Sequence, residues 1–308
     1  MGITSFYGDA MEEGAAMALL KTVYDQGCRH YDTAEIYRND DPNKHNEIYL
    51  GKFLQTVPRD SYSVATKYMP TGPCEYATIK EHLQDSLKRL QLEYVDLYYC
   101  HRVPTLEQGL EFGRAAKKLK EEGLIREVGL SEVNGAWLEQ IHTEACPIDA
   151  VQQEWSILTR SLENELIPVC KKLDIDVVAY SPLCRNLLVQ KLEAPPTDWR
   201  ASLPRYQAME QNKKFADQVQ EMADALKCTP AQICLAWLCQ KANELGVCAI
   251  PIPGTTNVER AIGNIESLNV KLSPDNMKVL DGMVKDVVGD RYAESFMKNG
   301  MTIEHQSK

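Results

Sequence analysis

Gly27-Cys-Arg-His-Tyr-Asp-Thr-Ala-Glu-Ile-Tyr-Arg-Asn-Asp40 is the stretch of sequence that decides the fold. An apolar helical repeat ends at Gly27, a short β-prone run follows, and Asp32 and Tyr37 come at or just past its end. A strand that ends at Asp32 places an acid and a phenol at one rim of a sheet. Enzymes with an α/β fold keep their reactive groups at this rim. We therefore expect an α/β protein with functional residues there.

Helix-like and strand-like segments alternate along the rest of the chain. Helical periodicity occurs at 13–26, 44–57, 76–91, 105–122, 134–143, 162–173, 229–245, 257–267 and 274–288. Short β-rich runs occur at 28–32, 62–66, 95–99, 126–130, 150–152, 176–180 and 247–251. Such alternation predicts a parallel sheet covered by helices.

The number of predicted strands bears on the architecture. A closed (β/α)8 barrel needs eight strands, and the sequence indicates seven. The fold is therefore either an open doubly wound sheet or a barrel whose first strand is missing from the sequence. The aperiodic, proline-containing stretch 184–207 predicts a long loop of the kind that often forms a lid.

Composition excludes several classes of function. The 308 residues are 44% hydrophobic and 25% charged, and the net charge is −10. This charge opposes binding to nucleic acid or to an anionic membrane. No apolar run approaches the roughly 20 residues that span a bilayer, and residues 1–13 do not resemble a signal peptide. We expect a cytoplasmic protein.

The ten cysteines form no Cys-x-x-Cys pair and match no zinc-binding spacing. They are scattered through strand-like and helix-like runs. We expect them to be reduced thiols, mostly in the core, and we expect no metal site.

Polar residues recur at the carboxyl ends of the predicted strands: Asp32 and Tyr37, Lys67, His101, Ser131, Gln152, and Tyr180 with Ser181. A single strand-end Asp or Lys is usually a cap or a solvated ion pair. Convergence of so many strand ends on one rim indicates a functional site instead.

Four of these residues suggest proton-transfer chemistry. Tyr37 could donate a proton, although a phenol with an ordinary pKa of about 10 is a weak acid at neutral pH. The Lys67 ammonium would stabilise the phenolate and lower that pKa. Asp32 would hold Lys67 charged and in place, and a neutral His101 could hydrogen-bond a reacting carbonyl.

A glycine turn at 251–257 leads into the helix that follows the last strand. Free N–H groups at a helix N-terminus favour phosphate, and Arg260 lies one turn into this helix. Many such turns contain glycine only for geometry, but barrels often bind phosphate after their final strands.

Several ordered motifs together resemble the aldo-keto reductase family over nearly the whole chain. The segment 27–37 resembles the first signature of that family, and the others are Asp96-Leu-Tyr-Tyr-Cys-His-Arg-Val103, Val128-Gly-Leu-Ser-Glu132, Gln152-Gln-Glu-Trp-Ser156, Val178-Ala-Tyr-Ser-Pro-Leu183 and Ile250-Pro-Ile-Pro-Gly-Thr255. They resemble most the branch of perakine reductase-like and auxin-induced-like proteins.

This resemblance implies a (β/α)8 TIM barrel that binds NADPH without a Rossmann fold and reduces an aldehyde or ketone. It implies one oxidoreductase domain over 1–290 and a C-terminal tail, expected to be mobile, over 291–308. The family's catalytic tetrad would be Asp32, Tyr37, Lys67 and His101, with Tyr37 as the proton donor.

The resemblance also assigns cofactor contacts. The nicotinamide would contact Ser131, Gln152 and Tyr180, the pyrophosphate would contact Ser181 and Leu183, and the adenosine 2′-phosphate and adenine would contact Gly254, Thr255, Arg260 and Asn264. The chain departs from the branch pattern where Cys184 and Asn186 replace glycines, where Thr256-Asn257 replaces Lys-Arg, and where Gly263 replaces a glutamate.

Residues 1–8 resemble the segment just after the family's first strand. The capping hairpin and strand one are therefore expected to be absent, in agreement with the count of seven strands.

We expect a small carbonyl compound as the partner of this chain, which would be a monomer or a weak oligomer. Two alternatives are a regulatory barrel that binds NADPH with little catalysis and a cofactor-free barrel enzyme that binds phosphate. The substrate would be an apolar or aromatic carbonyl compound, selected by Phe6, Tyr7, Trp155, Trp199, Leu203 and Tyr206.

Overall fold

The computed structural model describes residues 2–191 and 193–293. Within these residues the sheet has seven strands in chain order, β1 His30–Asp32, β2 Ser63–Tyr68, β3 Val95–Cys100, β4 Ile125–Ser131, β5 Ala150–Glu154, β6 Asp176–Tyr180 and β7 Ala249–Pro251. The α-helices are α1 Glu13–Asp25, α2 Asn46–Leu54, α3 Tyr76–Leu90, α4 Leu106–Glu121, α5 Gly135–Glu144, α6 Leu162–Glu165, α7 Ile167–Leu173, α8 Pro204–Gln207, α9 Met209–Leu226, α10 Pro230–Leu245, α11 Val258–Glu266 and α12 Pro274–Gly282. Short 3-10 helices occur at Arg59–Ser61, Cys184–Asn186, Trp199–Ser202, Ser267–Asn269 and Met283–Asp286.

The chain forms two compact units. The first unit contains Met1–Val151 and Gly254–Ala261, and the second contains Gln152–Pro253 and Ile262–Lys308. The expectation of one barrel domain over 1–290 stays a prediction.

The register of the first unit places three strand ends at one edge. Asp32, the last residue of β1, pairs with Ala65 of the parallel β2. Lys67 of β2 pairs with Tyr99 of β3. His101 directly follows β3. Parallel pairing therefore places Asp32, Lys67 and His101 at the same edge, as the sequence predicts.

The helices of the first unit cover the sheet with apolar faces. In α3, Ile79, Leu83, Leu87 and Leu90 are buried, at the three- and four-residue spacing of one helical face. Helix α2 approaches α3 closely at Gly51, where an added Cβ would lie 2.6 Å from the Arg89 carbonyl oxygen. The close packing of these two helices therefore requires glycine at this position.

In the second unit, β6 and β7 pair in parallel, with Val177 opposite Ala249 and Ala179 opposite Pro251. The pairing continues past β7, where the Ile252 N–H donates to the Ala179 carbonyl at 3.0 Å. The proline-containing turn thus begins at the carboxyl end of these strands.

All seven predicted strands are confirmed, each with its ends within two residues of the expected positions. The nine predicted helices are also present. Three of them differ in extent: 44–57 is shortened to α2, 162–173 divides into α6 and α7, and the last helix ends at Gly282 before a 3-10 turn.

Helix α9 was not predicted from the sequence. Its buried face includes Met209, Phe215, Val219 and Ala223, but a polar residue, Asn212, occupies a core position on the same face. Because Asn212 interrupts the apolar repeat, the helical period was hidden. The stretch 184–207 is also more ordered than predicted, since it contains α8 and two 3-10 helices.

The thiol prediction is confirmed: all ten cysteines are free, and six are buried.

Of the expected tail over 291–308, residues 294–308 lie outside the described residues. Arg291, at its predicted start, is buried, and its carbonyl accepts a hydrogen bond from Arg185 Nη1 at 2.7 Å. Among the described residues, no helix is long and apolar enough to cross a membrane.

Candidate active site

Lys67 occupies the centre of a polar cluster in the first unit. Its side chain has no exposure to solvent and donates hydrogen bonds to the Asp32 carboxylate and, at 2.6 Å, to the Thr33 carbonyl. Its Nζ also lies 5.0 Å from the centre of the Tyr37 ring. A buried ammonium is stable only with such partners.

These partners keep Lys67 charged. Burial acts to lower the pKa of Lys67, but the charges of Asp32 and Tyr37 and their hydrogen bonds outweigh burial and raise it. Lys67 therefore remains an ammonium at neutral pH.

The main chain around Tyr37 fixes the position of the phenol. The Tyr37 carbonyl accepts hydrogen bonds from the Asn46 N–H at 2.9 Å and from Thr4 Oγ1 at 3.1 Å. The Tyr37 ring is buried and meets the His101 ring edge to face, with 5.7 Å between the centroids. Phe6 packs against Tyr37 with 6.1 Å between the ring centroids.

The pKa of Tyr37 differs in direction from the sequence-based expectation. Burial raises the pKa of the phenol, while Lys67 and Arg102 lower it, and the net result is a raised value. The expected lowering by Lys67 is present, but the loss of water around a phenolate outweighs it. Tyr37 is therefore held in its protonated form, as a proton donor must be.

His101 is a neutral imidazole. Burial moves its pKa well below the ordinary value, and the positive charges of Arg102 and Lys67 lower it further. Its backbone N–H donates to the Tyr68 carbonyl at 2.7 Å, which fixes the start of the loop after β3. No described residue hydrogen-bonds its Nδ1.

The structure thus brings together all four residues of the predicted tetrad. The cluster combines a protonated phenol, a neutral imidazole, and an ammonium held by a carboxylate. A carbonyl oxygen beside the first two could accept a hydrogen bond from His101 and a proton from Tyr37. The ammonium would stabilise the negative charge that remains on the phenol oxygen.

Two groups of predicted cofactor residues also belong to the first unit. Ser131 ends β4, is buried, and has its Oγ 3.4 Å from Arg102 Nη1. Gly254 and Thr255 precede α11, and Gly254 has open space where a Cβ would point. Arg260 is exposed in the first turn of α11.

The turn before α11 is held by its own side chains. Thr255 Oγ1 accepts the Asn257 N–H at 3.1 Å, and Asn257 Oδ1 accepts the Arg260 N–H at 2.7 Å. Asn257 therefore caps the helix.

The remaining predicted cofactor residues belong to the second unit. Gln152 is buried in β5, and Tyr180 ends β6, with its hydroxyl accepting a bond from Arg291 Nη1 at 3.1 Å. Ser181 has φ +50°, and its carbonyl accepts the Cys184 N–H at 3.0 Å. Leu183 and Asn264 are half-buried.

Cys184, Arg185 and Asn186 form a run of three left-handed residues, with φ values of 52°, 55° and 76°. Glycine adopts this conformation without steric cost, so it would suit Cys184 and Asn186, two positions where the sequence departs from the pattern that it resembles. Among non-glycine residues, asparagine tolerates this conformation comparatively well, whereas cysteine and arginine store strain.

The structure reveals supporting residues that the sequence analysis did not identify. Thr33 and Asn46 hold the main chain around Lys67 and Tyr37, and Arg102 lies beside His101, with its Nη1 2.7 Å from the His101 carbonyl oxygen. Arg102 could have been noticed as the next residue at a strand end. Thr33 and Asn46 carried no such signal, because the backbone groups through which they act meet their partners only in the fold: the Thr33 carbonyl accepts Lys67 Nζ, and the Asn46 N–H donates to the Tyr37 carbonyl.

Three of the six residues expected to select the substrate are buried in the second unit. Trp155 has no exposure and donates its indole N–H to Glu163 Oε1 at 3.0 Å. Tyr206 is buried and donates to the Arg185 carbonyl at 2.8 Å, and Leu203 is also buried. These side chains are therefore part of the core, whereas Phe6 is 48% exposed.

Comparison with known proteins gives a consistent result. The model of the aldo/keto reductase family matches residues 1–285. A probable aldo-keto reductase 1 of Glycine max is 36% identical over an alignment of 309 residues. The alignment covers 95% of this chain and 86% of the relative. The chain covers 86% of that relative, so the match extends along most of both proteins.

Solved structures show the same similarity. The thermostable aldo-keto reductase Tm1743, in complex with the inhibitor epalrestat, has a TM-score of 0.71 and 31% identity over 90% of each chain. An aldo-keto reductase of Klebsiella pneumoniae, in complex with NADPH, has a TM-score of 0.70 and 24% identity over 88% of this chain and 85% of its own, a likeness of fold. The chain therefore belongs to the aldo/keto reductase family.

Proposed function

We propose that this protein reduces a small aldehyde or ketone to an alcohol, with NADPH as the reductant and Tyr37 as the proton donor. The observation that carries the proposal is the buried Lys67 ammonium, held by Asp32 beside the protonated Tyr37 and the neutral His101. Family membership supports carbonyl reduction in general, and the four side chains give it a specific proton path.

The cofactor residues that follow are those that the resemblance to the family assigns to NADPH. Ser131, Gln152 and Tyr180 would hold the nicotinamide, which supplies the hydride when the cofactor is bound. At the start of α11, the open space at Gly254 and the exposed Arg260 guanidinium suit a phosphate group. Ser181, Leu183, Thr255 and Asn264 complete the proposed set.

The side chains of the tetrad supply the rest of the reaction. His101 donates a hydrogen bond to the carbonyl oxygen and orients it. As negative charge develops on that oxygen, Tyr37 gives it a proton, so a hydride and a proton together convert the C=O group to an alcohol. Lys67 stabilises the phenolate that is left, and Asp32 keeps Lys67 in place.

We further propose an apolar or aromatic carbonyl substrate. Phe6 supports this choice, because an exposed aromatic ring packs directly against the proton donor. Phe6 also has φ +72°, a conformation that is costly for a bulky residue and is often found at ligand sites.

The ten free thiols support a reducing compartment, and we propose a cytoplasmic location on that ground. We also propose that the protein acts as a monomer or weak oligomer and that it belongs to the branch of perakine reductase-like and auxin-induced-like proteins.

The test is NADPH oxidation with 4-nitrobenzaldehyde by the wild type and by Tyr37→Phe. Phenylalanine keeps the ring contacts with His101 and Phe6 but removes the hydroxyl, so we expect kcat to fall about 10²- to 10⁴-fold. NADPH binding, followed by protein fluorescence, should persist in the variant.

A wild type that binds NADPH without turning over any aldehyde would favour the regulatory alternative. A Tyr37→Phe variant as active as the wild type would remove Tyr37 from the mechanism.

A further inference from the structure

His45 joins the loop that carries Tyr37 to the start of α2 through both nitrogens of its ring. Nε2 lies 2.9 Å from the Glu35 carbonyl oxygen, and Nδ1 accepts the Glu47 N–H at 3.1 Å. A carbonyl can only accept and a backbone N–H can only donate. The ring is therefore a neutral imidazole with its proton on Nε2, and it is buried.

The segment around His45 is also connected to the tetrad by the main chain. Arg38 and His45 form an antiparallel bridge, and the next residue, Asn46, donates its N–H to the Tyr37 carbonyl. The side chain of Asn46 accepts the Thr33 hydroxyl at 2.7 Å. The Thr33 carbonyl in turn accepts Lys67 Nζ, so the start of α2 supports both Tyr37 and Lys67.

Histidine is an uncommon N-cap, because helices prefer Ser, Thr, Asp or Asn at this position. Those short side chains could accept the Glu47 N–H, but they could not also donate to the Glu35 carbonyl on the other side. The imidazole makes both bonds at once. Position 45 therefore requires a side chain whose two polar atoms are as far apart as the two nitrogens of an imidazole.

We propose that His45 is a positioning residue for Tyr37. The neutral imidazole of His45 clamps the loop that carries the Tyr37 phenol onto the start of α2. The phenol keeps its place against His101 only while both bonds of the clamp are made. The inference rests on the proposed reductase activity, since the position of Tyr37 is read through turnover.

The charges around His45 make the clamp sensitive to acid. The Glu47 carboxylate lies 3.9 Å from Nε2 and is itself bound by Arg89 Nε at 2.6 Å and Thr66 Oγ1 at 2.5 Å. Burial lowers the pKa of His45; Glu47 opposes this effect, and Arg89 and Arg38 add to it. The net pKa is lowered, so the ring is neutral at neutral pH.

Protonation would place a hydrogen on Nδ1, facing the Glu47 N–H, and would break that bond. The cap and the clamp are therefore lost together as the pH falls through the pKa of His45.

Two substitutions separate the halves of the clamp. In His45→Asn, the amide oxygen can replace Nδ1 as the helix cap, but the side chain is too short to reach the Glu35 carbonyl. In His45→Gln, the amide nitrogen can replace Nε2, but the cap is lost. We expect each variant to lower kcat about tenfold at neutral pH, as the loss of one hydrogen bond implies. The KM for NADPH should change less than about twofold.

The pH profile distinguishes positioning from a merely structural role. In the wild type, kcat should fall as the pH drops through the pKa of His45, which lies below the ordinary histidine value of about 6.5. Neither Asn nor Gln titrates, so both variants should lack this component of the acid-side fall. Wild-type kcat in either variant, or an unchanged acid-side fall in both, would overturn the proposal.

His142 offers a matched control. Its Nδ1 accepts the Ile148 N–H at 3.0 Å, the same kind of bond, at the end of α5. His142→Asn should leave kcat and its pH profile unchanged. A loss in His142→Asn equal to that in His45→Asn would mean that any such bond affects turnover, and it would overturn a specific role for His45.

Amide hydrogen exchange tests the clamp without turnover. At one pH, the Glu47 amide should exchange about tenfold faster in His45→Gln than in the wild type. In the wild type its protection factor, which corrects for the slower intrinsic exchange in acid, should decrease below the pKa of His45. If the wild type reduced no carbonyl compound, the proposed function would fail while this result still supported the clamp. Equal exchange in both proteins would refute the clamp itself.

Discussion

The Lys67 side chain is charged and has no exposure to solvent. Its neighbours must therefore offset the free-energy cost of removing the ammonium from water. The Asp32 carboxylate and the Thr33 carbonyl supply that compensation. The same charge stabilises the phenolate form of Tyr37, although burial keeps the net pKa of Tyr37 raised. One buried ion pair therefore has both a structural and a catalytic consequence.

These two consequences can be separated by substitution. Lys67→Met leaves Asp32 without its ammonium and removes the charge beside Tyr37, so we expect about 3–5 kcal/mol less stability and at least a hundredfold lower kcat. Adding Asp32→Asn removes the unpaired charge. The double variant should regain most of the stability, measured by urea unfolding, but not the kcat. Recovery of kcat in the double variant would contradict the role of the ammonium.

At the scale of elements, sequence patterns predicted the strands well because each β-rich run is bounded by turn residues. They also predicted that Asp32, Lys67 and His101 would lie at one edge of the sheet, because all three are polar residues at strand ends. They did not predict His45 or Asn46 as supports, because each acts through backbone groups of a folded loop. The same limit hid α9, where a polar side chain fills a core position.

Asn212 illustrates what α9 gains from that side chain. Its amide donates to the Arg205 and Val288 carbonyls at 2.9 and 2.8 Å, and its oxygen accepts the Val288 N–H at 3.0 Å. Asn212→Leu leaves these groups without partners, so we expect about 2–3 kcal/mol less stability by urea unfolding. The exposed neighbour Gln211 provides the control, since Gln211→Ala should change stability by less than about 0.5 kcal/mol. A change that small in Asn212→Leu would show that water replaces all three bonds.

At the scale of the whole molecule, charge is unevenly distributed. The chain carries −10 overall, yet the candidate site places Lys67 and Arg102 beside the reacting groups, and Arg260 at the start of α11. An anionic cofactor therefore needs local cations to offset the field of an acidic protein. The same acidity opposes nucleic acid as a competing ligand.

Two buried histidines and the half-buried His30 give the protein a stability that depends on pH. Burial lowers the pKa of His30 and His45, and it lowers that of His101 further still. When the pKa of a histidine is lower in the folded state than in the unfolded state, the unfolded state takes up the proton at a higher pH. Its stabilising contribution is therefore complete above the unfolded pKa of about 6.5 and is lost as the pH falls below it.

We therefore expect the free energy of unfolding to decrease on acidification from pH 6.5, by up to about 1.4 kcal/mol per pH unit for each such histidine. His30 offers the sharpest test, because His30→Asn can keep the bond that Nδ1 makes with Ser63 Oγ at 2.9 Å while removing the titration. Urea unfolding followed by circular dichroism at a series of pH values should show a shallower slope in this variant. An identical slope in both proteins would mean that His30 takes up its proton equally in the folded and unfolded states.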